Sequence, residues 1–107
     1  MRVIAYEVDL DDTALQWLWL RIETEAGRVT GFLAQYETTI RDQRVPVIRY
    51  DTAHGFAHRD VLDRRGEVIA KQPLASDLSS QDALAYGVQD IRANWRRYRR
   101  RFLGDDQ

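Results

Sequence analysis

The stretch "ALQWLWLRIETEAGRVTGFLAQYETTI", residues 14–40, decides the fold. Leu18, Leu20 and Ile22 fall on one side of an alternating pattern, and Trp17, Trp19, Arg21 and Glu23 on the other. A period of two belongs to a strand with one face toward a core. "AGR" (26–28) interrupts the pattern as a tight reversal, because glycine accepts positive φ. Alternation then resumes, with Phe32, Ala34 and Tyr36 sharing a face. Two long strands with a short turn between them predict an antiparallel hairpin.

The same grammar extends outward. "RVIAYEVDL" (2–10) places Ile4, Tyr6, Val8 and Leu10 on one side, and "DDT" (11–13) turns the chain. "RDQR" (41–44) makes another turn, followed by "VPVIRYD" (45–51), where Ile48 and Tyr50 oppose Arg49 and Asp51. Pro46 has no N–H to donate and suggests an edge or early strand position. "RDVLD" and "EVIAK" read as a short hairpin around "RRG" (64–66).

The period then changes. Leu84, Val88, Ile91, Trp95, Tyr98 and Phe102 recur every three or four residues, which is one face of a helix. Ser79 and Asp82 resemble a capping box, and Gly104 suits the end. The expected fold is a single α+β domain over residues 1–107. It has two layers: an antiparallel β-meander of about four to six strands (1–72), and one C-terminal amphipathic helix (about 80–103) packed on one face.

The 107 residues suit one domain, and the composition, 44% hydrophobic and 31% charged, is that of a globular protein. No apolar run approaches the roughly 20 residues of a membrane span, and the N-terminus does not read as a signal peptide. Without cysteine there are no disulfides and no thiolate metal sites. A cytoplasmic location with no membrane contact is the simplest expectation. The net charge of −1 conceals an asymmetry, since "RANWRRYRRR" (92–101) carries six arginines and no acid. Arg92, Arg96, Arg99 and Arg100 are candidate RNA contacts, with Trp95 and Tyr98 assigned to the core. The competing reading leaves these arginines as a solvated helix surface. Trp17 and Trp19, together on the sheet face away from the helix, are candidates for a partner surface, a homodimer interface or a stacking platform.

Both histidines fall in "VIRYDTAHGFAHRDVLD" (47–63). Three readings of this segment stay open. In the first, Asp51 caps a turn, the arginines pair with carboxylates, and the histidines are polar loop residues. In the second, His54 and His58 act as acid and base on an RNA phosphodiester without metal or other cofactor, while Arg49 and Arg59 hold the phosphate and Asp51 orients an imidazole. Tyr50 packs inward in this reading. In the third, His54, His58, Asp51 and Asp60 hold a metal ion.

"RYDTAHGFAHRDVLD" and "DALAYGVQDIRANWRRYRRRF" together resemble a family of small uncharacterised prokaryotic proteins with an RYDTAHG core and an HRD continuation. More distantly the chain resembles TumE-type toxins, through Arg49, Tyr50, Asp51, His54 and His58. It departs from their pattern in carrying Thr52 in place of Asn and in having fewer histidines. That resemblance implies a toxin-like protein of a toxin–antitoxin module that cleaves RNA and is held by a helix-turn-helix antitoxin. The alternative from the residues is a non-catalytic interaction module, dimeric or partner-binding through Trp17 and Trp19.

Overall fold

The computed structural model describes residues 1–53 and 55–104. Among them run six strands and one helix, in the order β1 (Arg2–Asp9), β2 (Gln16–Glu25), β3 (Arg28–Ile40), β4 (Gln43–Asp51), β5 (His58–Leu62), β6 (Val68–Pro73) and α1 (Ser80–Phe102). Every strand pairs antiparallel with the next, so spatial order equals chain order. This is the expected meander with one helix on one face.

The turns explain the meander. At Ala26–Gly27 and at Arg41–Asp42 both central residues have positive φ, between 50° and 79°. That is the geometry whose twist matches the strands on either side. Asp63 closes the β5–β6 hairpin by accepting from the N–H groups of Arg65 and Glu67. Pro46 sits inside β4 rather than on an edge strand, beside the register shift between Tyr36 and Glu37. An irregular ladder at that point tolerates a residue without an N–H.

The core lies between α1 and the inner face of β2–β5. Leu18, Phe32, Ala34, Tyr36, Ile48, Tyr50 and Val61 meet Ala83, Ile91, Trp95, Tyr98 and Phe102. Ser79 caps the helix by accepting from Asp82 N–H. The buried stripe of α1 differs from the expected one in its first half. Ala83 and Gly87 are buried, and Leu84 and Val88 only partly. Small residues there let the helix axis approach the sheet.

α1 packs on β3 and β4. It leaves the inner face of β1 open, so Ile4 and Tyr6 share the face predicted for them yet remain more than 40% exposed. It also leaves a groove on its other flank, above β5 and β6. None of the described helices is long and apolar enough to cross a membrane.

Candidate functional site

Antiparallel pairing sorts the residues of β4–β6 by face, since directly opposed residues share one. Tyr50, Arg59 and Gln72 lie in one row, and Tyr50 and Arg59 reach α1. Arg49, Asp60 and Lys71 form the row on one side of it, and Asp51, His58 and Pro73 the row on the other; both belong to the outer face, away from the helix. The four described residues of the expected catalytic loop are therefore not gathered in one pocket. Arg49, Asp51 and His58 share the outer face, whereas Arg59 points the opposite way. His54 lies outside the described residues. The cause is the period of two: His58 and Arg59 are neighbours in a strand, so they cannot share a face.

On the outer face His58 is 7% exposed, with the Phe56 ring 4.8 Å from its own. Asp51 accepts a long turn bond of 3.5 Å from Ala53 N–H, in keeping with the turn-capping role. Thr52 extends the strand pairing, its hydroxyl oxygen accepting from Phe32 N–H at 3.0 Å. Asp60, 3% exposed, pairs with Lys71 at 3.1 Å. Arg49 Nε donates to Gln35 at 2.7 Å, and Gln35 in turn donates to Glu37 at 2.6 Å. Arg44 pairs with Glu37 and with Glu7, and its guanidinium covers Trp17 at 4.0 Å. Trp17 and Trp19 do lie together on this face; both are half-buried, and Arg44 covers Trp17. Among the described residues no group of three or more His, Asp or Glu could hold a metal ion.

The inner flank is built differently. Tyr50 and Tyr98 both donate to Asp90 Oδ2, and Asn94 donates to Asp90 Oδ1. Arg59 donates from Nη1 to the Tyr98 hydroxyl and from Nε to Gln72 Oε1, each at 2.8 Å. Burial, then the Asp90 carboxylate, pushes the Tyr98 hydroxyl up to about 12 and raises Tyr50 as well. Both hydroxyls are thus neutral donors at neutral pH.

Three guanidiniums surround the Tyr98 ring: Arg97 at 5.2 Å, Arg59 at 5.6 Å and Arg101 at 5.7 Å from its centre. Two cavities follow one another along β5–β6 there. One, of 410 Å³, is lined by Tyr50, Arg59, Gln72, Leu74, Leu78 and Tyr86. The other, of 530 Å³, is lined by Val61, Arg64, Arg65, Ala70, Arg101 and Phe102, among others. Together they make a groove with cations along its length and tyrosines in its wall.

α1 divides the arginines that the sequence groups together. Arg96, Arg99 and Arg100 line a separate 370 Å³ recess on the β1–β2 flank, beside Asp11. Arg96 stacks on Trp95 at 4.4 Å, and Arg99 donates inward to Thr38 at 3.2 Å. Arg92, one turn before Arg96, is exposed. The expected RNA footprint of Arg92, Arg96, Arg99 and Arg100 therefore lies across the helix from the groove. Tyr86, Asp90, Arg97 and Arg101, which sequence reasoning passed over, are spaced 4, 7 and 4 apart and form the helix flank that borders it. That spacing is a readable signal once the flanks of the apolar stripe are inspected as well as the stripe.

Fold and site define a six-strand meander with one covering helix and a basic, tyrosine-walled groove along the helix flank. The chain belongs to the family described as Domain of unknown function (DUF7718), whose model matches residues 1–107. No curated protein and no solved structure matches it.

Proposed function

We propose that this chain binds single-stranded RNA in the groove between α1 and the β5–β6 hairpin, as the RNA-acting member of a toxin–antitoxin pair. The observation that carries this reading is the convergence of Arg59, Arg97 and Arg101 on the Tyr98 ring beside an open cleft walled by Tyr86. A backbone-tracking row of cations with aromatic faces for the bases is how single strands are held without reading a duplex. The toxin-like role rests on the resemblance of Arg49, Tyr50, Asp51, His54 and His58 to TumE-type proteins.

Cleavage is a second reading, favoured by one observation: Asp51 stands directly across from His58, with Arg49 on the same face. An imidazole can carry a proton between substrate and solvent, and Asp51 would orient it.

Fluorescence anisotropy of a labelled 12-nucleotide oligo-U separates these readings. Saturable binding that weakens with salt is expected. Arg97→Ala with Arg101→Ala should reduce the log–log salt slope by about 1.4, as two lost single-strand phosphate contacts require. Arg92→Ala with Arg96→Ala, on the far flank, should change it little. No binding at low salt, or an unchanged slope in the groove variant, rejects the proposal. Strand scission that survives EDTA and disappears in His58→Gln, measured per folded molecule, supports the cleavage reading.

A further inference from the structure

We infer that the 410 Å³ cleft at the Tyr86 end of the groove is a subsite for one nucleotide unit, with the base against Tyr86 and the phosphate on Arg59. The inference rests on the RNA-binding reading of the groove and adds where a nucleotide is gripped.

The cleft has the required size, within the range of about 300–1,000 Å³ typical of small-ligand sites. Its walls are chemically sorted. Pro73, Leu74, Ala75 and Leu78 form an apolar side, and Tyr86 faces it from the helix. Tyr86 is 55% exposed, and its ring meets the buried Tyr50 ring edge-on at 6.0 Å, which braces it. A braced, open aromatic ring stacks a nucleobase of any identity.

The polar side is a prepared guanidinium. Gln72 and the Tyr98 hydroxyl take Arg59 Nε and Nη1 and fix the plane of the fork. Gln72, Tyr98 and Tyr50 occupy at most three of the five guanidinium N–H donors, which leaves at least two for a phosphate oxygen. No acid lines the cleft. Asp90 lies behind it with both oxygens already accepting, and Arg97 and Arg101 keep the local charge positive. The bond from Arg59 also fixes the Gln72 amide, so that its NH2 is presented to a carbonyl on a base such as uracil.

The test uses the full chain with uridine 5′-monophosphate, uridine and inorganic phosphate, followed by titration calorimetry and by competition against labelled oligo-U. The monophosphate should bind saturably, with uridine and phosphate each at least about tenfold weaker. Tyr86→Ala and Arg59→Gln should each weaken it about tenfold, since one stacking contact or one charged hydrogen bond has that size. Tyr86 is half exposed, so its variant keeps the fold even if Arg59→Gln does not. A monophosphate that binds no better than phosphate, or is unaffected by Tyr86→Ala, overturns the subsite. If oligo-U binds and the monophosphate neither binds nor competes, the subsite fails while the groove reading stands. If the monophosphate binds as described and oligo-U does not, the subsite stands and the RNA reading fails.

Discussion

Gly87 lies so close to the Tyr50 ring that a Cβ there would come within 2.8 Å of Tyr50 Cγ. This approach sets how far α1 sinks onto β4, and so brings the Asp90 carboxylate onto the Tyr50 hydroxyl three residues further along the helix. The helix carries Gly87 at some cost, since glycine is about 1 kcal/mol worse than alanine in a helix interior.

Gly87→Ala should therefore lower stability despite its better helix propensity. Tyr50 is 1% exposed and anchored through its hydroxyl, so the ring cannot yield. Overpacking of this kind costs about 1–3 kcal/mol, which outweighs the propensity gain. Urea unfolding should show a lower midpoint with an unchanged slope; an equal or higher midpoint would mean that the helix rides further from the sheet.

Asp90→Ala should cost about 2–4 kcal/mol. Two hydroxyls from largely buried tyrosines lose their acceptor at once, and an unsatisfied buried polar group costs about 1–3 kcal/mol. Asp90→Asn keeps an acceptor oxygen and should lose less. The same denaturation assay decides; an Ala variant as stable as the parent removes the network from the account of stability.

Alkaline pH should unfold the protein in step with tyrosine ionisation. Burial raises Tyr36 and Tyr98 to about 12 and pushes Tyr50 up too, with Asp90 adding to the shift for Tyr50 and Tyr98. Folded values above the unfolded value of about 10 make this stabilisation complete below pH 10 and lost as pH rises through about 12. Tyrosinate absorbance and helical circular dichroism, followed together, should show these three residues ionising only as the helix melts. Ionisation of all five tyrosines with the helix signal intact would contradict this.

His58→Ala should lower the thermal midpoint by several degrees. The imidazole is 7% exposed beneath Phe56, and emptying such a site costs about 1–3 kcal/mol. Loss of RNA cleavage in a His54→Ala, His58→Ala double variant therefore has to be measured against the folded fraction, with His58→Gln as the milder change. A midpoint unchanged by His58→Ala would show that the ring contributes little to the packing.

Much of the architecture was legible because each element announces its own period. Leu18, Leu20 and Ile22 against Phe32, Ala34 and Tyr36 fix a register as well as a pair of strands, since a slip of one residue would turn every apolar side chain outward. Ser79 and the stripe from Ile91 to Phe102 fix the helix for the same reason. The site was read less well. His58 and Arg59 look like partners in a line of letters, but adjacent strand residues face opposite ways. Arg92, Arg96, Arg97, Arg99, Arg100 and Arg101 read as one basic run, yet the turn of the helix sends Arg96 to Trp95 and Arg97 to Tyr98.

The sequence by itself determined the meander, the helix and the inward face of nearly every element, because those follow from local period and turn chemistry. Only the tertiary structure decided which polar residues meet. Asp90 joins Tyr50 across the helix–sheet interface, Arg59 reaches Tyr98, and a groove opens over β5–β6 because α1 sits on β3 and β4. These contacts depend on where one layer rests on the other, a quantity set by packing across the interface and carried by no single segment of the chain.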